Sequence, residues 1–384
     1  MNDYQERKKT IEELQQKRGT VIVTYFLLCD RGNVIPLFVG DDALRPMHRL
    51  LEDLGHKESI DLFIHTRGGN MMTAPTIVKM LREYSDKLNV LVPFRCHSAG
   101  TQIALGADNI VMSKIGQLSP IDPTTANLFN PLMGPQVNPA DPRNRKPISV
   151  EDVQSYLNLS RDRVGLVSDR DRLEVFKELT KYIEPLALGN VNRVYSATRM
   201  IAKEMLSLHM NAKDDDDKIE QIIKALTETF PHDFMITRDT ASKIGLKSVH
   251  ATPDEEKLMM TLFASYEAEF KMNTPFDADD LLTRQSLQPP PQPGQALQPG
   301  PVGLPMQGIS PQQPRPLNFK TKIGAIEGAN DSFIHVVEGS VSSSFQGAMQ
   351  MGVGPMIPIP GATVVNFKLG KWLKYSDLAG MNFE

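Results

Sequence analysis

Apolar and polar positions alternate along this chain in two different rhythms. Short apolar runs bounded by turn residues come first: Thr20 to Cys29 (TVIVTYFLLC), Ile60 to Ile64 (IDLFI) and Val90 to Phe94 (VLVPF). Each has the length of a strand rather than of a helix. Between the second and third, Ala74 to Asp86 (APTIVKMLREYSD) spaces Ile77, Met80 and Leu81 as one face of a helix. The unit is strand–turn–helix–strand, and a crossover joining parallel strands is right-handed. Carried from residue 19 to about 125, this alternation predicts an α/β layer fold with a mostly parallel sheet. Ser149 to about Phe230 then reads as largely helical, opened by the capping sequence Ser149-Val150-Glu151-Asp152. Asp254 to about Phe270 predicts a closing helix. Residues 1–18 form a charged leading helix, a candidate arm for contacts with partners or other copies.

Composition breaks this pattern twice. Pro123 to Pro147 is rich in Pro, Asn, Asp and Arg and reads as a long loop, a kind of segment that in compact domains is usually functional or mobile. Residues 285–317 are rich in Pro and Gln, too poor in apolar surface to fold, and read as a disordered linker. Apolar runs return in 318–384, notably Phe333 to Val337 and Thr363 to Phe367, and read as a small β-rich or partly disordered tail domain. The organisation expected is thus an arm (1–18), a main domain (19–275), a linker (285–317) and a C-terminal region (318–384).

The net charge of −4 comes without a basic stripe, so nucleic acid is not an expected partner. No run reaches the length of a transmembrane helix. Two cysteines, Cys29 and Cys96, sit in apolar strand contexts, which argues against a structural disulfide and against a metal site, and fits a reducing cytoplasm. No Gly-x-Gly-x-x-Gly fingerprint follows a strand and no phosphate-binding loop is present, so no cofactor is expected.

The candidate chemistry lies at the ends of the second and third strands. His65-Thr66-Arg67-Gly68-Gly69-Asn70 is a Gly-Gly turn, and Arg95-Cys96-His97-Ser98-Ala99-Gly100-Thr101 presents a serine where a helix begins. A serine at such a turn, facing a glycine turn from the neighbouring strand, can act as a nucleophile with backbone N–H groups aimed at the oxyanion. The simpler alternatives are a helix-capping serine and an ordinary strand-ending turn.

These paired motifs resemble the Clp protease/crotonase superfamily, above all the signal peptide peptidase A-like serine peptidases and the serine dehydrogenase proteinase family. The segment Ala104 to Met112 (ALGADNIVM) is similar to the passage after the nucleophile in that family, and the resemblance is confident over Val21 to Thr125. It implies a Clp/crotonase-like fold of stacked β-sheets flanked by helices over residues 19–275. It also implies a Ser98 nucleophile and an oxyanion hole from the N–H groups of Gly68 or Gly69 and of Ala99. Arg67 stands where the family commonly has Pro. The short-range histidine of Clp proteases has no counterpart, because no histidine lies between His97 and His209. The signal peptide peptidase A-like branch uses a lysine as base, and the resemblance points to Lys146, just before the capped helix. His65 lies just before the Gly-Gly turn and could face the site, but reads as a packed residue. His97 adjoins Ser98 in an extended turn, where neighbouring side chains point in different directions and do not bond each other.

The implied function is a serine endopeptidase working through a Ser98–Lys146 dyad, cytoplasmic and homo-oligomeric. Its substrate would be a peptide or an unfolded or membrane-derived chain, and peripheral membrane association is compatible with it. The alternatives are an inactive scaffold that keeps the fold, and a crotonase-like enzyme acting on acyl thioesters.

Overall fold

The computed structural model describes residues 3–141, 144–211, 214–286, 316–350 and 356–384. The centre of the Pro/Gln-rich linker therefore lies outside the described residues. Among them, the strands in chain order are β1 (Val21–Leu27), β2 (Lys57–His65), β3 (Ser85–Val92), β4 (Arg95–Cys96), β5 (Asn109–Met112), β6 (Gln117–Leu118), β7 (Thr124–Thr125), β8 (Ile148–Ser149), β9 (Ile236–Thr237), β10 (Ser248–His250), β11 (Leu317–Glu327), β12 (Ser332–Gln350), β13 (Met356–Phe367) and β14 (Lys371–Lys374).

The main sheet runs β10-β5-β3-β2-β1-β11-β12-β13, with β14 on β12. From β10 to β1 the pairing is parallel, as the strand–helix alternation predicts. Central strands of such a sheet are covered on both faces: β1 is buried from Ile22 onward and β2 from Ile60 onward. One face packs under Leu44–Leu54 (α2, after α1 at Asp3–Arg18), Thr73–Glu83 (α3) and Ala99–Leu105 (α4), in a core that includes Leu62, Ile77, Val90 and Ile103. The other packs against α1 and the late helix Pro253–Glu269, through Ile11, Leu14, Phe63, Phe263 and Tyr266. This is a mixed α/β fold, a large sheet flanked by helices on both faces, consistent with the Clp-like fold that the resemblance implies. A smaller ladder, β4-β6-β9, stands apart from the main sheet, and β7 pairs with β8.

Two features differ from the sequence reading. The strands of residues 317–384 extend the main sheet, β11 pairing antiparallel with β1 from Thr24↔Glu327 to Leu27↔Gly324. No period in the chain can announce a partner so distant in sequence. The loop from Pro123 is pinched at its base by β7 and β8, in the register Thr124↔Ser149. Inside it, the buried Asn130 amide donates to Thr125 O and Lys146 O at 2.8 and 3.0 Å.

Helices Val150–Asn158 (α5), Asp169–Tyr182 (α6), Pro185–Ser207 (α7) and Asp216–Lys224 (α8) make up the helical stretch, followed by Arg238–Lys243 (α9), Pro253–Glu269 (α10) and Ala278–Ser286 (α11). The predicted cap at Ser149 is present, its hydroxyl accepting the Asp152 N–H at 3.1 Å. No helix among the described residues is long and apolar enough to cross a membrane.

Candidate active site

Ser98 sits at the junction of β4 and α4 with φ 50° and ψ −112°, a conformation that an L-residue adopts only under strain. The surroundings hold it there. Thr66 N–H donates to Arg95 O and His97 N–H donates to Thr66 O, at 2.9 and 3.0 Å, so the end of β2 is stitched to β4. The Ser98 N–H donates to Ser119 Oγ at 2.8 Å, and that hydroxyl donates to Pro120 O at 2.8 Å. Thr101 Oγ1 accepts the Ser119 N–H at 3.1 Å, closing the lock. A backbone strain kept by these five hydrogen bonds aims the Ser98 side chain, half-buried, into a cleft of about 430 Å³.

The Gly-Gly turn faces it. Gly68 and Gly69 both have positive φ, 107° and 148°. A Cβ on Gly68 would lie 2.6 Å from the Ser98 Cβ, so only glycine lets the turn approach the serine this closely. A Cβ on Gly69 would collide with the backbone of Val39, which pairs with the turn.

The two glycines differ in what their N–H groups do. That of Gly68 donates to Thr66 Oγ1 at 3.0 Å and is spent. Those of Gly69 and Ala99 have no acceptor among the described residues. Of the three donors the sequence pointed to, Gly69 and Ala99 are thus free to bind an oxyanion, and Gly68 serves as the hinge that carries Gly69.

The cleft has two characters. Phe38, Phe234 and Met235 form an apolar side, with Phe38 and Met235 each about half exposed at 49%. Arg67 and Arg95 form a cationic side, and both contact the Asp30 carboxylate, Arg67 at 3.1 Å. Burial would raise the Asp30 pKa, but His65, Arg95 and Arg67 outweigh it and hold the carboxyl below its ordinary value. Cys29, Asp30 and His65 bring ligand atoms within 4.8 Å of one another. The two guanidiniums already bonded to Asp30 would repel a cation there.

His65 itself is fully buried in a stack with Phe26 at 4.6 Å and bonds Leu27 O through Nδ1 at 3.2 Å, a packing residue as the sequence suggested. His97 lines the cleft and is held neutral, its pKa pushed down to about 4 by burial and by Arg95 and Arg67.

The structure does not bring Lys146 to Ser98. The Lys146 N–H donates to Pro131 O at 2.7 Å and its carbonyl accepts from Asn130, so its backbone is fixed inside the loop while its side chain stands in solvent, outside the cleft lining. What does stand in the cleft is His232, which sequence spacing missed. Its Nδ1 lies 2.9 Å from Oδ2 of the buried Asp122. The only hint in the sequence was an isolated Pro-His-Asp-Phe turn between two helical stretches, which no motif singles out.

Residues 1–145 match the family of ClpP-like SDH-type serine proteinases, a span that contains both the Gly-Gly turn and Ser98. The uncharacterized protein MJ0137 of Methanocaldococcus jannaschii is 25% identical over 262 residues, 67% of this chain and 78% of that one. MJ1495 of the same organism is 25% identical over 250 residues, 63% of this chain and 70% of its own. Among solved structures, a serine-to-alanine mutant of the 1510-N membrane-bound stomatin-specific protease matches at 14% identity and a TM-score of 0.33, covering 62% of this chain and 82% of its own.

Proposed function

We propose, on the premise that residues 1–145 match the ClpP-like SDH-type serine proteinases, that this protein is a serine endopeptidase with Ser98 as its nucleophile. The observation that supports it most is the strained φ of Ser98 beside two N–H groups without acceptors, those of Gly69 and Ala99. Ser98 Oγ adds to a peptide carbonyl carbon, and the carbonyl oxygen takes up the negative charge. The two N–H groups receive that charge without reorganising, and one such donor is commonly worth about 10²–10³ in rate.

The substrate in this reading is an extended peptide or an unfolded chain. Its apolar side chains would lie against Phe38, Phe234 and Met235, and Arg67 and Arg95 would face polar or anionic groups. Assembly with further copies belongs to the same proposal, and would cover exposed apolar side chains of α6 such as Leu173 and Phe176.

A fluorophosphonate probe tests the nucleophile. Wild-type protein should gain one adduct by intact mass, and Ser98→Ala none. Equal labelling of both would reject Ser98, and a folded wild type without labelling would favour an inactive scaffold.

A further inference from the structure

Building on the peptidase reading, we propose that His232 is the general base and acid for Ser98, held in place by Asp122, so that the catalytic groups come from three neighbouring strands of one small ladder.

The register of that ladder carries the argument. In β4-β6-β9, Cys96 pairs with Leu118, and Leu118 pairs antiparallel with Ile236. Ser98 follows Cys96 by two residues. Asp122 follows Leu118 by four, and His232 precedes Ile236 by four, so antiparallel pairing brings the last two face to face. The result is the 2.9 Å contact between His232 Nδ1 and Asp122 Oδ2. Ser119, on the way from Leu118 to Asp122, is the residue whose hydroxyl accepts the Ser98 N–H. One ladder thus positions the nucleophile, the carboxylate and the imidazole.

The contact also settles the tautomer. A carboxylate only accepts, so Nδ1 carries the proton and Nε2 keeps its lone pair. Asp122 is 5% exposed, while the His232 side chain is 54% exposed and lines the same cleft as Ser98. A fixed buried carboxylate beneath an accessible imidazole is the arrangement that orients a base.

The other titratable groups lining the cleft are poorer candidates. Arg67 and Arg95 do not give up a proton. His97 is buried against both and adjoins Ser98 along the backbone. Asp233 follows His232 on the same turn, and together with Asp122 and Glu151 it surrounds the imidazole with negative charge. Burial alone would lower the His232 pKa, but the Asp122 bond and these carboxylates reverse the direction and raise it. Glu151 is raised in turn, by burial and then by Asp122.

The steps balance within these groups. As Ser98 Oγ bonds to the carbonyl carbon, its proton passes to His232 Nε2, directly or through one water. The C–N bond then breaks, and the departing amine takes that proton. A water gives its proton to Nε2 while its oxygen attacks the acyl carbon, and Ser98 recovers the proton as the acid leaves. Asp122 stays ionised throughout.

The test is the rate of fluorophosphonate labelling against pH for full-length wild type, His232→Ala, Asp122→Asn, Lys146→Ala and Ser98→Ala. In the wild type the rate should rise with pH through a single inflection above the ordinary histidine value of 6.5, because only neutral His232 accepts the proton. His232→Ala should lose about 10²–10⁴-fold, and added imidazole should restore part of the loss, which no purely structural role would allow. Asp122→Asn should move the inflection to lower pH and slow the plateau. Labelling that needs Ser98 but is unchanged by His232→Ala overturns this proposal while leaving the peptidase reading intact. A loss confined to Lys146→Ala overturns it in favour of the lysine. Labelling that survives Ser98→Ala overturns both readings together.

Discussion

Two parts of this molecule gather polar groups away from water, and they treat them in opposite ways. Where α1 meets α10 and β11, the fully buried Arg7 guanidinium binds Glu327 through Nε at 2.7 Å and Nη2 at 3.1 Å, and Glu269 through Nη1 at 3.2 Å. The Tyr266 hydroxyl donates to Glu327 at 2.5 Å and lies 2.7 Å from Thr24 Oγ1. Each of these groups has a partner, and the seam ties the first helix to the last third of the chain. Around Ser98 the reverse holds: a residue is strained, and among the described residues the N–H groups of Gly69 and Ala99 have no acceptor. A seam of this kind contributes to holding the fold together, whereas a cleft of this kind is arranged for something that arrives later.

Substitutions should separate the two. The largest effect is expected from Ser98→Gly, which should abolish labelling altogether. Relieving the positive φ should at the same time leave stability unchanged or raise it by about 1–2 kcal/mol, read from urea midpoints. A large loss of stability instead would mean that Ser98 belongs with the seam. Next, Arg7→Ala should leave Glu327 buried without its partner and cost about 3–5 kcal/mol in denaturation. Labelling per folded molecule should not change. Thr66→Val, which frees the Gly68 N–H, should slow labelling by roughly tenfold through a loosened Gly69, as expected for a lost hydrogen bond of about 1.4 kcal/mol.

A last test is acid. His97 has a folded pKa of about 4 against an ordinary 6.5, so the unfolded chain binds the proton first. Stability should therefore fall as pH drops from 6.5 toward 4, and His97→Gln should flatten that slope. Glu327 adds a second loss lower down. Burial opposes its charge, but Arg7 more than compensates and holds its pKa below the ordinary 4.5, so its contribution fades only as pH falls through that lower value.

The sequence made the nucleophile half of the cleft legible because its signals are local. Gly68-Gly69 and Ser98 each close an apolar run, and the helix between them, Thr73–Glu83, has the period expected of it. The register that pairs Asp122 with His232 left no such trace. It depends on strands of two residues each, β6 and β9, which are too short to show alternation. Lys146 was marked by a capped helix next to it, and the cap is real. What spacing could not show is the pair of backbone hydrogen bonds, to Pro131 and from Asn130, that fix its main chain within the loop. The return of the C-terminal strands to β1 was hidden for the opposite reason. Their alternation was readable, but their partner lay at the other end of the chain.

That return has a consequence for synthesis. β1 is flanked by β2 on one side and by β11 on the other. A nascent chain that has already built β1, β2 and the Ser98 turn must leave one edge of β1 open until Leu317–Glu327 emerges. At a translation rate of roughly 5–20 residues per second, the roughly 290 residues between them take about 15–60 s. During that interval the open edge of an apolar strand, of the kind that recruits other chains, stays unpaired. Ribosomes stalled or truncated before β11 should therefore yield aggregates rather than a shortened folded chain.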